Sequence, residues 1–393
     1  MTEMKILLVI NSYYALGNGM AASARRTAHY LMEAGHEVRV LSGPNLQAEE
    51  PQPEFPLKRF IFPFFQPMID QLGFQYASSD KKMIRKAVEW ADVVHLEEPF
   101  VLEYKTIQIA KELGKPLTST YHLHPENITC HMGPLFYWKG LNRTLLRIAR
   151  NFIYNDCAVV QCPTQNVLDR LSRYHCNCKL ELISNGVIPD ACTRPTEMPE
   201  NYCDPERPLD VVYIGRLSAE KDQFTLINAM QYSQFAKRIR LHFAGQGDAE
   251  KKIKRMAAKL VTDGVVKYEP VFTFEDRDGL RRLAANADLV IHCATIEVEG
   301  LSIMEALQQA AVPVIAEGHT TGTAQFALDR RSRFPEKNPE ALAHRIDYWL
   351  SHPAERWEMG FHYAKSMEAY DISRTVEHLI QMYQNAIDEK KGR

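Results

Sequence analysis

The residues with the clearest chemical purpose are two glutamates, Glu297 and Glu305, at either end of the run Glu297-Val298-Glu299-Gly300-Leu301-Ser302-Ile303-Met304-Glu305. The run follows a strand pattern, Leu289–His292, and crosses a glycine turn into the start of a helix. Successive amides at Gly300, Leu301 and Ser302 suit phosphate or sugar oxygens, because the first turn of a helix leaves its N–H groups without intrahelical partners. Carboxylates beside such a site need hydroxyl donors, and sugar and ribose hydroxyls fit. The plain alternative is a glutamate-rich helix start, where acids favour the dipole.

Upstream, Gly215-Arg216-Leu217-Ser218-Ala219-Glu220-Lys221 leaves one strand and enters a helix at Asp222–Met230. A strand-end glycine permits a sharp turn, and Arg216 and Lys221 then stand near the carboxyl edge of the sheet. An arginine fork and a lysine point charge together offset the charge of a leaving nucleotide diphosphate. Two solvated cations on a surface loop would look the same. Phe243-Ala244-Gly245-Gln246-Gly247 repeats the strand-to-glycine pattern; Gly245 could admit a nucleotide to the backbone, and an ordinary tight turn explains it as well.

These motifs need a scaffold of alternating strands and helices. Strand patterns occur at Lys5–Asn11, Glu37–Leu41, Asp92–Leu96, Pro116–Tyr121, Ala158–Gln161 and Leu180–Ile183, with a helix predicted over Ala21–Glu33. Residues 188–208 hold five prolines and several acids and read as a linker. A second series follows at Asp210–Ile214, Arg240–Phe243, Asp288–His292 and Pro313–Ala316, and everything after about residue 338 reads as helical. The rhythm predicts α/β architecture with two doubly wound, Rossmann-like domains facing a cleft, ligands lying beyond the carboxyl ends of the strands. The expected division is 1–187 as an acceptor-binding domain, 188–208 as linker, 209–370 as a nucleotide-sugar domain and 371–393 as a C-terminal helix, the last helices crossing back.

Composition narrows the field. A hydrophobic fraction of 45% and a charged fraction of 24% are those of a soluble globular protein. The formal net charge of −2 supplies no field for nucleic acid, so no nucleic-acid partner is expected. The start, MTEMKILLVIN, lacks the features of a signal peptide, and no run approaches the roughly 20 apolar residues of a membrane span. A cytoplasmic protein, peripheral on the inner face of the membrane, is expected. The eight cysteines include one close pair, Cys176 and Cys178, without a second ligand pair nearby, and read as free thiols. Asp276-Arg277-Asp278 has the look of a metal-binding acid pair but reads as a helix start. No metal or other cofactor is predicted, since Arg216 and Lys221 already face the diphosphate.

In their order along the chain, the motifs resemble the GT-B glycosyltransferases, specifically the large retaining family 4. The loop Gly215-Arg216…Lys221 and the pair Glu297…Glu305 match the family's G-R-L-x-x-x-K and E-x7-E patterns. The resemblance implies that Arg216 and Lys221 hold the diphosphate of a UDP-sugar, that Glu297 and the nearby amides hold the transferred sugar, and that Glu305 holds the ribose. Gly17-Asn18-Gly19 matches the family's glycine loop, with Gly19 at the donor; His122 matches its sugar-contacting histidine and Asn185-Gly186-Val187 its interdomain crossing. His122, Arg216, Lys221 and Glu297 would carry the reaction by a front-face route, with retention. Two departures stand out: Glu297-Val298-Glu299-Gly300 where many members read E-G-F-G, and His124 where a subgroup reads glutamine. That subgroup, similar over Tyr121–Thr129, Trp90–His95 and Ala324–Asp329, contains bacterial monoglucosyldiacylglycerol synthases and related glycolipid-forming transferases. It implies transfer of glucose or galactose to the hydroxyl of a membrane lipid such as diacylglycerol or ceramide.

Residues 131–155 bear independently on the acceptor. The segment has no acid until Asp156 and places Lys139, Arg143, Arg147 and Arg150 at helical spacing, with Leu141, Leu145, Ile148 and Phe152 on another face. Phe136-Tyr137-Trp138 precedes it, and Lys58–Phe65 is a second basic-aromatic run. A basic amphipathic helix headed by Trp138 suits an anionic leaflet; a core helix with a solvated cationic face has the same period. Rival functions are a family 4 transferase with a soluble acceptor, a nucleotide-sugar 2-epimerase of similar shape and a non-enzymatic sugar-nucleotide binder. A dehydrogenase is disfavoured, since no GxGxxG with a later acid appears where it should.

Overall fold

Short runs of β-branched and leucine residues, buried on both faces, can satisfy their backbones only within a sheet that helices cover on both sides. Seven strands pair in parallel in the first part of the chain, the central ones of this kind: β1 (Lys5–Val9), β2 (Glu37–Ser42), β3 (Phe55–Pro56), β6 (Val93–Leu96), β7 (Leu117–Thr120), β8 (Val159–Cys162) and β9 (Lys179–Leu182). Their order is β3-β2-β1-β6-β7-β8-β9, and a separate ribbon pairs β4 (Arg59–Phe60) with β5 (Tyr76–Ala77) antiparallel. A second parallel sheet has the order β12-β11-β10-β13-β14-β15, formed by β10 (Leu209–Ile214), β11 (Ile239–Ala244), β12 (Val271–Thr273), β13 (Leu289–His292), β14 (Pro313–Glu317) and β15 (Arg333–Pro335). The computed structural model describes residues 3–15, 18–46, 51–63, 66, 69, 75–130 and 138–392.

The chain divides into two units, Met1–Gly186 with Ile372–Arg393, and Val187–Asp371. The final helix, Ile372–Lys391, therefore belongs to the first unit. Its Ile372, Val376, Leu379, Ile380, Met382, Tyr383 and Ile387 share one core with Ile6, Leu8 and Ile10 of the β1 region. Gly186 shows how tightly the crossing is packed: a Cβ there would lie 2.9 Å from the Ile372 Cα.

The predicted linker at 188–208 is instead part of the second unit. Arg194 is buried and donates to the carbonyls of Ala285 (2.8 Å) and Ala287 (2.5 Å). Arg207 forks onto Asp288 at 2.5 and 2.9 Å, and the fully buried Arg356 donates to the same carboxylate. Prolines set an extended path in this segment, and the buried guanidiniums tether it. The short edge strands β3, β12 and β15 and the β4–β5 ribbon lack enough residues to show a period.

Candidate active site

In the second sheet the order reverses at β10, with β11 on one side and β13 on the other. The loops after β10 and β13 thus leave the carboxyl edge side by side, where open α/β sheets take ligands. They are stitched together: the Thr295 N–H donates to the Glu220 carbonyl at 2.8 Å. Tyr213, in β10, donates its hydroxyl to the Lys221 carbonyl at 2.9 Å, and Ser218 donates to the Glu220 carboxylate at 2.6 Å.

This framework aims Lys221 at Glu297, and the two form an ion pair. His292, at the end of β13, places Nε2 3.6 Å from the same carboxylate oxygen. Burial alone would raise the Glu297 pKa, but the Lys221 charge and the nearby His292 imidazole outweigh it and hold the carboxyl well below its ordinary range. Burial holds His292 below its ordinary pKa against the pull of Glu297. The Glu297 backbone is pinned as well, donating to Thr320 O and accepting from Gly322 N–H, each at 2.8 Å. Arg216 is more open, with its side chain 42% exposed and 3.9 Å from Glu220. The structure therefore presents an ionised carboxylate, a lysine and a reachable guanidinium at one sheet edge.

Gly300 caps the helix Leu301–Gln308 in a left-handed conformation (φ 84°), and a Cβ there would meet Thr323 Cγ2 at 2.2 Å. Ser302 donates to the Ile214 carbonyl at 3.3 Å, which ties the helix start to the end of β10. Half-buried Glu305 lies four residues beyond Leu301 and so shares its face. Gly245 has a packing reason to lack a side chain. A Cβ would lie 2.1 Å from the Gly215 carbonyl, so contact between the two glycine turns explains the residue without a ligand. Glu299, the departure from the family pattern, is 2% exposed, and its charge helps burial to raise the Tyr370 pKa.

The first sheet reverses at β1, between β2 and β6, and its edge carries Asn11, Glu97 and Glu98. His122, just past β7, donates from Nε2 to Glu97 Oε2 at 2.7 Å. Burial opposes the Glu97 charge, but the His122 hydrogen bond and the charges of His95 and His122 win and keep its pKa low. Burial lowers His95 to about 4. Asn11 donates to Glu98 from its backbone N–H (2.5 Å) and its side chain (2.8 Å), and also to Glu103 at 3.1 Å. Burial raises Glu98 to about 7 despite those bonds, and raises Glu103 well above its ordinary value. Glu97, Glu98, Glu103, Asn11 and His292 escaped the sequence reading. The signal was available for the acids, since Glu97-Glu98 follows the β6 strand pattern directly.

Of the remaining expected residues, Gly19 starts the helix Gly19–Glu33, capped by the Asn18 side chain; Gly17 lies outside the described residues. The basic helix spans Lys139–Phe152 and buries only Asn142 and Leu146. Lys139, Arg143 and Arg147 are exposed, as are Trp138 (69%), Ile148 (47%) and Phe152 (50%). A core helix would hide its apolar stripe; this one leaves Ile148 and Phe152 open. Arg150 differs from its neighbours, donating to the Tyr174 carbonyl and to Asn151. Phe64, Phe65, Phe136 and Tyr137 lie outside the described residues. Asp276 caps the helix Arg277–Asn286, accepting from Gly279 N–H at 2.8 Å. All eight cysteines are free thiols.

Comparison with known proteins bears on both units. Residues 17–191 match the model of Glycosyltransferase Family 4, and residues 196–367 match that of Glycosyl transferases group 1. An alpha-monoglucosyldiacylglycerol synthase of Streptococcus pneumoniae is 25% identical over 80% of this chain and 71% of its own length. A sulfoquinovosyl transferase of Arabidopsis thaliana is also 25% identical, over 79% of this chain and 58% of its own length. Among solved structures, Anabaena HepE in complex with UDP and glucose matches 98% of this chain and all of its own at a TM-score of 0.67 and 15% identity, which speaks to the fold. With a Family 4 domain followed by a group 1 domain on a two-domain α/β fold of the GT-B type, the chain belongs to the glycosyltransferases.

Proposed function

We propose that the protein transfers a hexose, glucose or galactose, from a UDP-sugar to the hydroxyl of a membrane lipid of the diacylglycerol or ceramide kind, with retention at the anomeric carbon. The observation that carries the donor side is the Lys221–Glu297–His292 cluster beside exposed Arg216 at the switch point of the second sheet. Arg216 and Lys221 offset the diphosphate charge, so no metal is invoked. Glu297 and the first-turn amides at Gly300, Leu301 and Ser302 hold sugar hydroxyls, and Glu305 holds the ribose. In the first unit, Glu97 orients the His122 ring.

Retention by double displacement needs a free carboxylate at the sugar face. Glu297 is committed to Lys221 and His292, which favours a single front-face exchange. The bond from C1 to the diphosphate oxygen breaks and the acceptor oxygen bonds to C1. The acceptor proton passes to the departing phosphate oxygen, leaving nucleoside diphosphate and an α-glycolipid. Support for the lipid acceptor comes from the similarity to an alpha-monoglucosyldiacylglycerol synthase and from the open apolar and cationic faces of Lys139–Phe152. That helix would rest on the inner face of the cell membrane; no helix among the described residues is long and apolar enough to cross it. The test is a screen of UDP-sugars against lipid and soluble-sugar acceptors, read by mass spectrometry. An α-hexosyl lipid is the expected product; release of free UDP and an epimerised sugar, or transfer to soluble acceptors alone, would falsify the assignment.

A further inference from the structure

The first unit contains an apolar cavity of about 690 Å³ beside its own switch point. One wall is an aromatic series in which Phe60, Phe62, Tyr76 and Phe100 meet edge to face, at centroid distances of 4.8, 5.3 and 5.1 Å. The other wall is the open side of the Lys139–Phe152 helix, where Ile148, Ala149 and Phe152 line the cavity. Asn11 reaches the cavity from the carboxyl end of β1. It is the residue that binds Glu98 and Glu103, and one oxygen of the 1%-exposed Glu98, Oε1, has no hydrogen-bond partner.

We infer that this cavity takes the hydrocarbon body of an uncharged, hydroxyl-headed lipid, with the hydroxyl turned to the Asn11 end; the inference rests on the lipid-acceptor reading above. Size and lining fit, since small-molecule sites run to roughly 300–1,000 Å³ with apolar walls and a few polar groups. The polar end selects the class. Among the described residues that line the cavity none is cationic, and behind Asn11 stand two carboxyl groups. A hydroxyl can be accommodated there, whereas a phosphate would be desolvated against carboxyls with no counter-charge. The cations lie outside: exposed Arg143 and Arg147 sit on the helix that forms the cavity wall, where anionic headgroups of surrounding lipids would meet them. The surface would thus separate the two lipid chemistries, phosphate held at the rim and the neutral acceptor drawn inside.

The test uses the full chain, the UDP-sugar that the wild type consumes, and 1,2-dioleoylglycerol in vesicles of phosphatidylcholine and phosphatidylglycerol. Ala149→Trp fills the cavity from the helix side and should raise KM for dioleoylglycerol at least about tenfold, with resistance of the first unit to limited proteolysis as the folding control. Ser79→Phe does the same from the opposite wall should the first variant fail to fold. A folded variant with unchanged KM overturns the cavity assignment. Replacing part of the phosphatidylglycerol by dioleoylphosphatidic acid keeps the surface anionic and should leave the rate unchanged; competition with dioleoylglycerol overturns the selection against phosphate. A wild type that glycosylates soluble sugars and no lipid overturns the acceptor reading itself, an outcome the variants cannot mimic.

Discussion

Lys221 and Glu297 are the residues whose chemistry is most interdependent. Removing the lysine leaves a carboxylate with His292 as its remaining partner in a largely buried site, and uncompensated buried groups cost about 1–3 kcal/mol. Lys221→Ala should therefore lower the melting temperature modestly and reduce kcat/KM for transfer by about 10²–10³, the usual scale for losing one charge-stabilising donor. Glu305→Ala should weaken UDP binding without the stability loss; full activity in either variant overturns the donor-site assignment. Glu98 gives a test by pH. Because burial raises its pKa from 4.5 to about 7, the native state holds a proton that the unfolded chain has released. Its contribution to stability is complete below the unfolded value and is lost as pH rises to about 7. Glu98→Gln should be more stable than wild type by about 1–3 kcal/mol at pH 8, with the difference vanishing near pH 4, as measured by denaturant titration.

Among the elements, the Lys139–Phe152 helix shows what periodicity leaves open. Its cationic and apolar faces are plain in the sequence, yet the same spacing serves a core helix. The structure adds that Asn142 and Leu146 alone are buried, with Ile148 and Phe152 left open, which makes it a surface helix. Arg143→Glu with Arg147→Glu should weaken sedimentation with anionic vesicles by at least about tenfold, given about 1 kcal/mol per basic residue near such a surface. Arg150 is a poor choice for that experiment because it also holds the Tyr174 carbonyl. The paired glycine turns are a second element-scale feature. Gly245→Ala forces a Cβ to within 2.1 Å of the Gly215 carbonyl and should cost at least about 2 kcal/mol. A thermal shift without loss in that variant would mean that the turns can part.

For the molecule as a whole, the last helix closes a unit whose other residues lie before Val187. Deleting 372–393 removes nine buried side chains from that unit, seven of them large apolar members of the shared core, and each of these stabilises by about 1.5–3 kcal/mol. The sum, about 10–21 kcal/mol, is as large as the usual 5–15 kcal/mol of a whole domain, so the truncated first unit should not fold. Limited proteolysis should then digest it and spare Val187–Asp371; equal resistance of both units would contradict the shared core.

The central strands, the Gly215–Lys221 loop and the Glu297/Glu305 pair were legible in sequence because each depends on local chemistry: a period, a glycine, a capped helix start. The same local signals single out Arg216, Lys221 and Glu297 as candidates. Tertiary structure decided which groups meet. Lys221 and Glu297 are 76 positions apart and His122 and Glu97 are 25, and only parallel strand order brings each pair to one sheet edge. It also turned the proline-rich 188–208 segment into a tethered part of the second unit, gave Gly245 a packing role and left Glu299 buried. Sequence patterns report what each segment can bury; which partner it buries against is a long-range choice, made when the two sheets form.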